Sequence, residues 1–161
     1  MTAHEQHTDD HSDIRDAVAK LCAQFPGEYW RKLDRQMAYP KEFVDALTEA
    51  GYLSVLIPEE YGGAGLKLSA AAAILEEIQR AGCNGGGCHA QMYTMGTVLR
   101  HGSAEQKAKY IPGIIDGSKT FGFAQLEKNS RYDLFDVVTT AKKKGDGWVI
   151  DGEKFVVLNG E

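Results

Sequence analysis

The spacing of apolar residues changes once along this 161-residue sequence, close to Gly117. Before that point apolar residues recur three or four positions apart, which is typical of amphipathic helices. After it come short stretches rich in β-branched and aromatic residues, with Asp-Gly turn pairs at 146–147 and 151–152. We therefore predict an α+β fold in which an all-helical bundle is followed by strands, with a single boundary between Gly117 and Thr120.

Five helices are predicted before that boundary. They cover approximately residues 12–25, 40–51, 69–82, 88–101 and 103–117. Residues 26–39, which contain aromatic and charged side chains, are expected to form a loop. Ser12 is the expected cap of the first helix, and Ser103 with Gln106 forms a capping-box pattern before the last one. Pro112 should kink that last helix or mark its final turn.

Four strands are predicted after the boundary, on composition alone. They cover residues 120–126, 137–141, 148–150 and 154–158. Residues 142–147 are the expected turn between the middle two, and their three lysines should lie in solvent. Because these strands have no closing partners, we expect an incomplete sheet with exposed edges.

Charge and hydropathy exclude several classes of function. A net charge of −5 and an isoelectric point near 5.5 argue against nucleic acid as a partner, because phosphate binding needs a concentrated basic face. The longest apolar run, Ala70–Leu75, is too short to span a membrane. Met1–Ser12 is polar, is expected to be a disordered tail, and has no signal-peptide pattern. We expect a cytoplasmic protein.

The cysteines indicate neither a disulfide framework nor a metal centre. Cys22, Cys83 and Cys88 are an odd number, and Cys83, Cys88 and His89 are too few for the four ligands of a structural zinc site. We expect buried or helix-end thiols and no bound metal.

A glycine-rich segment at residues 59–65 is open to two interpretations. Gly62, Gly63 and Gly65 follow an apolar stretch and precede a helix, as in a nucleotide-binding loop, but Leu68 stands where the third glycine would be. A loop whose glycines adopt positive φ is the favoured interpretation. No Ser-His-Asp arrangement or carboxylate pair follows from spacing, so the residues by themselves indicate no reaction.

Several segments taken together carry a resemblance to a known family. They are 51–65, which ends in Ile57–Gly65, then 101–118, and in the predicted hairpin 139–142, 145–148 and 151–154. In this order and spacing over residues 13–160, the chain resembles the N-terminal part of the acyl-CoA dehydrogenases.

The resemblance implies a fold and a chemistry. After the tail at 1–12, which composition predicts to be disordered, it implies the family's N-terminal helical domain at 13–118 and part of a β-barrel-like middle domain at 119–161, truncated before the barrel closes. The family removes hydrogen from the α and β carbons of an acyl-CoA thioester with FAD, and passes the electrons to an acceptor. Its catalytic base lies in a C-terminal helical domain. The resemblance therefore assigns no catalytic residue to this chain, which should be inactive alone.

The resemblance also implies where the chain would meet its ligands. It assigns the flavin to two segments. They are Gln125, Leu126 and Glu127 in one, and Val156, Val157 and Leu158 in the other. Arg131 and Tyr132, which replace a Gly-Ser pair of the family, are assigned to the substrate. Leu126 and Leu158 stand where the family carries hydroxyls, so contacts to the flavin should come from backbone N–H groups.

These departures leave two functional interpretations. The loss of the hydroxyls resembles a subgroup that contains the small subunit of pimeloyl-CoA dehydrogenase. The chain would then act in a flavoenzyme, as a homo-oligomer or beside a homologous subunit. The alternative is a helical interaction subunit that has kept the fold, lost the chemistry and pairs with a larger acyl-CoA dehydrogenase subunit.

Overall fold

The computed structural model describes residues 11–131 and 133–160. Within the chain, the contacts define two compact units, with the boundary between Thr120 and Phe121. Helices make up the first unit and a β hairpin lies in the second, so the prediction of an α+β fold is confirmed.

Six helices occur among the described residues of the first unit. They are α1 Ser12–Cys22, α2 Gly27–Gln36, α3 Lys41–Glu49, α4 Leu68–Arg80, α5 Gly86–His101 and α6 Ala104–Ile115. Single 3₁₀ turns at Tyr52–Ser54 and Glu59–Tyr61 connect α3 to α4. No helix in the described part of the chain is long and apolar enough to cross a membrane.

Helix α2 corrects the prediction of a loop at 26–39. None of its residues is fully buried, but Tyr29, Trp30 and Leu33 recur at helical spacing and are half-buried, so α2 has a partly buried apolar stripe that the loop prediction overlooked. Edge-to-face aromatic contacts hold the helix: the Tyr29 ring lies 5.2 Å from the Phe25 ring, and the Trp30 ring lies 5.0 Å from the Phe43 ring. Trp30 also donates its indole N–H to the Phe25 carbonyl at 3.0 Å. Phe25 and Phe43 both lie outside α2, so the sequence of the helix alone does not indicate these contacts.

The core of the first unit lies between α1, α3, α4 and α5. Val18, Phe43, Leu47, Ile74 and Ile78 are wholly inaccessible to solvent. Burial of each such side chain stabilises the fold by roughly 1.5–3 kcal/mol. The small residues of α4 let α1 pack closely against it.

Of the two helix caps predicted from the sequence, the one at Ser103 is confirmed and the one at Ser12 is wrong. Ser103 Oγ accepts from Gln106 N at 3.2 Å and Gln106 Oε1 accepts from Ser103 N at 2.8 Å, which confirms the capping box. Pro112 lies in the last turn of α6, one of the two outcomes expected for it. Ser12, however, is the first residue of α1 and not its cap, because His11 occupies the capping position with φ of 52°.

In the loop at residues 59–65, Gly62 and Gly65 adopt positive φ, as the favoured interpretation predicts. Gly62 has φ of 88° and ends the second 3₁₀ turn. Gly63 is needed for another reason: a Cβ there would lie only 2.6 Å from the carbonyl carbon of Ile57. The loop folds tightly on its own backbone, with Gly65 N donating to Ile57 O at 2.8 Å.

The three cysteines are buried and none forms a disulfide. Burial raises the pKa of the Cys88 thiol to about 12. Burial and the neighbouring Cys83 thiol together raise the pKa of the Cys22 thiol to about 12. These two thiols therefore stay protonated at neutral pH, whereas a metal ligand must be a thiolate. In the part of the chain that the structure describes, no three metal-binding side chains come together.

The hairpin of the second unit is β1 Thr140–Lys144 paired antiparallel with β2 Gly147–Asp151. Lys144 faces Gly147, so the turn is Gly145-Asp146. The expected turn at 142–147 was therefore too long. Gly145, with φ of 60°, closes the tight turn, and the lysines continue the strand with exposed side chains.

The predicted strands at 120–126 and 154–158 do not form. A single antiparallel bridge, Phe123 to Leu158, takes their place. Val156 has φ of 49°, which a β-branched residue rarely adopts and which interrupts extended pairing. The strand composition of these segments reports a preference, but a strand also needs a continuous partner.

Candidate functional site

The two segments assigned to the flavin lie side by side in the second unit. Phe123 and Leu158 exchange backbone hydrogen bonds of 2.8 and 3.2 Å, and Phe155 N donates to Leu126 O at 3.0 Å. Asn159 adds a side-chain bond to Phe121 O at 3.0 Å. The structure therefore brings 125–127 and 156–158 together, although it does so without a regular ladder.

Glu127 is the buried anion of this region. Its side chain is 3% exposed, and one carboxylate oxygen accepts from Val138 N at 2.7 Å. The other accepts from Thr139 N at 3.2 Å and from Lys154 Nζ at 2.7 Å. Lys154 also donates to Gln125 O at 3.3 Å. Glu127 and Lys154 thus connect three parts of the second unit: residues 125–127, the approach to β1 and the segment after β2.

These contacts set the protonation state of Glu127. The Lys154 ammonium, then the Thr139 hydroxyl and the Val138 N–H, lower the pKa of the carboxyl from 4.5 to about 2. A carboxylate with so low a pKa is a poor proton acceptor at neutral pH. Both of its oxygens are also occupied by groups of the chain. Glu127 is therefore a structural anion and not a candidate base.

The remaining flavin candidates offer apolar side chains and backbone donors. The Val156 side chain is 63% exposed and that of Leu158 is 54% exposed. Leu126 is half-buried. Among the described residues, the N–H groups of Gln125, Leu126, Val156 and Val157 donate to no acceptor. Such a surface fits a planar ring that has apolar faces and acceptor atoms along its edge, which is the chemistry of an isoalloxazine.

The residues assigned to the substrate are less well placed. Arg131 is exposed, and it forms no ion pair with any carboxylate in the described residues. Tyr132 lies outside the described residues. Arg131 therefore remains an assignment by resemblance.

Lys154 and the N–H groups of Val138 and Thr139 were not singled out from the sequence. Each lies at least 11 residues from Glu127, and their approach depends on how the chain folds back around the hairpin. An opposite charge at Lys154 was the one available signal, but no local pattern links it to Glu127.

Comparison with known proteins agrees with the fold. Residues 8–118 match the family described as the acyl-CoA dehydrogenase N-terminal domain. The 3-(aryl)acrylate reductase of Clostridium sporogenes is 35% identical over 149 residues, which are 91% of this chain and 40% of that protein. The probable acyl-CoA dehydrogenase FadE25 of Mycobacterium tuberculosis is 30% identical over 154 residues, 94% of this chain and 39% of that protein.

A solved structure extends the likeness to the fold. It is an acyl-CoA dehydrogenase from Bacillus anthracis complexed with FAD, and it has a TM-score of 0.74 at 27% identity. The match covers 97% of this chain and 28% of that one. The chain belongs to the acyl-CoA dehydrogenase family. It spans about 40% of the length of the curated relatives it matches.

Proposed function

We propose that this chain supplies the N-terminal helical domain and one part of the flavin site of an FAD-dependent acyl-CoA dehydrogenase. The observation that supports this most strongly is the pair of adjacent segments, 125–127 and 156–158, which carry unused backbone donors and apolar side chains. The FAD complex of the Bacillus anthracis relative supports the choice of cofactor.

Each residue of the site has a limited role. When bound, FAD would accept the hydride that leaves the β-carbon of the acyl group. The N–H groups of Leu126 and Val157 would hold acceptor atoms along the edge of the ring, and Val156 and Leu158 would exclude water from its face. Glu127 and Lys154 keep both segments in position. The substrate side would include Arg131 and Tyr132.

The base that removes the α-proton is not among the residues of this chain, and the chain alone should therefore be inactive. A missing general base lowers the rate by roughly 10²- to 10⁴-fold. An electron-transfer protein would take up the electrons, and a second copy or a homologous subunit would complete the assembly. Because one relative is named an arylacrylate reductase, both acyl-CoA thioesters and arylacrylates are suitable test substrates.

The proposal can be tested with a longer protein in which this chain replaces the matching part of FadE25. That protein should purify yellow, hold one FAD per chain and reduce an artificial acceptor when an acyl-CoA is added. The 161-residue chain should bind FAD weakly and show no turnover above a heat-treated control. A folded but colourless longer protein would refute the proposed function.

The second candidate is a non-catalytic interaction subunit. It is favoured by Leu126 and Leu158, which place aliphatic side chains where the family has hydroxyls, so the pocket lacks two polar contacts. The variant L126T, made in the longer protein, separates the two. In a flavoenzyme that uses backbone contacts, L126T should change FAD affinity little. If FAD binds only after hydroxyls are restored at both positions, the interaction subunit is the better description.

A further inference from the structure

Cys22 and Cys83 lie side by side at the ends of two helices of the first unit. Cys22 is the last residue of α1, and Cys83 lies three positions beyond the end of α4. The Cys83 thiol donates to the Cys22 carbonyl oxygen at 3.9 Å, although 61 positions separate the two residues in the sequence. Cys22 is 2% exposed and Cys83 is 4% exposed. The function proposed above makes no use of this pair of thiols.

Of the three cysteines, only these two are brought together by the fold. Burial, and after it the Cys83 thiol, raises the pKa of Cys22. The pKa of Cys88 is raised by burial alone, so among the described residues no second thiol lies close enough to act on it. Because the Cys83 sulfur already touches the Cys22 main chain, a bond between the two sulfur atoms needs rotation of the side chains and no rearrangement of the helices.

The position of Cys83 gives a small oxidant a route to the pair. Its neighbours Gly82 and Asn84 are exposed, and Gly82 has φ of 76° in the turn after α4. A turn of this kind opens more readily than the interior of a helix. Cys22 belongs to the last turn of α1, and its thiol, with a pKa of about 12, is a poor nucleophile at neutral pH. Cys83 is therefore the thiol that reacts first, and Cys22 completes the bond.

We propose that Cys22 and Cys83 form a reversible disulfide, which locks α1 to the end of α4, when the chain reacts with a hydroperoxide. With hydrogen peroxide, the Cys83 sulfur attacks one oxygen, the O–O bond breaks, and a sulfenic acid and one water form. The Cys22 sulfur then attacks the sulfenic sulfur, the S–O bond breaks, and the leaving hydroxide takes the Cys22 proton as a second water. Two thiols are thus oxidised to one disulfide while one peroxide is reduced to two waters.

The pairing can be tested on the 161-residue chain treated with hydrogen peroxide under native conditions. Alkylation in denaturant should then find one free thiol in the wild type in place of three. Digestion with trypsin without reduction should yield the peptide Leu21–Arg31 joined to Ala81–Arg100. If the native wild type keeps all three thiols, the proposal is wrong.

Two matched variants identify the partner of Cys22, because the second peptide contains both Cys83 and Cys88. Each variant leaves Cys22 with one possible partner. C88A should form the joined peptide to the same extent as the wild type, and C83A should form none. A joined peptide in C83A as abundant as that in C88A would overturn the assignment to Cys83.

Thermal unfolding tests whether the bond fits the native helices. The disulfide would link residues 61 positions apart, so oxidation should raise the midpoint of the wild type and of C88A by about 10 °C. Dithiothreitol should restore the lower midpoint. An unchanged or lower midpoint in fully oxidised C88A would show that the disulfide does not lock α1 in its native position.

Trapping with dimedone, which reacts with sulfenic acids, tests the order of the two steps. In C22A the sulfenic acid of Cys83 has lost the thiol that would resolve it, so peroxide and dimedone together should label Cys83. In C83A, Cys22 should gain much less of the adduct, because its thiol stays protonated. Equal labelling of Cys22 in C83A and of Cys83 in C22A would overturn the assignment of Cys83 as the attacking thiol.

Discussion

Removal of the Lys154 ammonium should raise the pKa of Glu127. In the structure this carboxyl has a pKa of about 2, against an ordinary 4.5, and Lys154 is the first cause of the difference. At pH 3, Glu127 should thus be about nine-tenths ionised in the folded chain, whereas an ordinary glutamate would be only about 3% ionised. In K154M the pKa should move toward 4.5 but stay below it, because the N–H groups of Val138 and Thr139 still donate.

The same difference makes stability depend on pH. A carboxyl whose pKa is lower in the folded chain than in the unfolded chain stabilises the fold above the unfolded value. That contribution is complete above pH 4.5 and is lost as the pH falls toward 2. The midpoint of urea unfolding should therefore fall with pH across this window in the wild type, and the part due to Glu127 should shrink in K154M.

The pKa can be measured from the side-chain carboxyl ¹³C shift of Glu127, assigned by its absence in E127Q. K128M is the control, since it removes a lysine next to Glu127 in sequence whose side chain is exposed and forms no ion pair with Glu127. A wild-type pKa near 4.5, or an equal rise in K128M and K154M, would contradict the structure of this site.

Four substitutions in the first unit test its packing and one of its helix caps, each measured by urea unfolding followed by circular dichroism. G63A should lower the free energy of unfolding by roughly 1–3 kcal/mol, because its Cβ would overlap the Ile57 backbone. G96A should raise it by about 0.5–1 kcal/mol, because alanine favours the helix and its Cβ meets no atom. Equal effects of the two variants would contradict the close approach of Gly63 to Ile57. F43A should cost about 3–5 kcal/mol, since its ring is fully buried. S103A should cost about 1 kcal/mol through loss of the cap, and no loss would show that the capping box contributes little.

Most helices of the first unit could be predicted because their signals are local. Helix α4 is predicted at 69–82 and lies at Leu68–Arg80, with Ala81 and Gly82 directly after its last residue. The capping box at Ser103 needs only residues three positions apart, so it was readable from the sequence. Such features depend on the neighbouring turn and not on the rest of the fold.

The errors occur where distant contacts decide the structure. In helix α2, the rings of Tyr29 and Trp30 pack on Phe25 and Phe43, which lie outside the helix. The segment 154–158 has strand composition, yet Val156 adopts a left-handed conformation and only one bridge forms. Propensity could not show that Val156 would adopt this conformation and interrupt the pairing with residues 120–126.

At the candidate site, the resemblance locates the residues but does not give the role of each side chain. The resemblance marked Glu127 as a flavin residue, but its carboxylate is fully engaged by Lys154 and by two backbone N–H groups. A protein that had lost flavin chemistry would still need this ion pair, because it holds the second unit together. The presence of Glu127 is therefore equally expected for a flavoenzyme and for an interaction subunit. Leu126 and Leu158, which we propose to contact the flavin ring, are the positions at which the two proposed functions make different predictions.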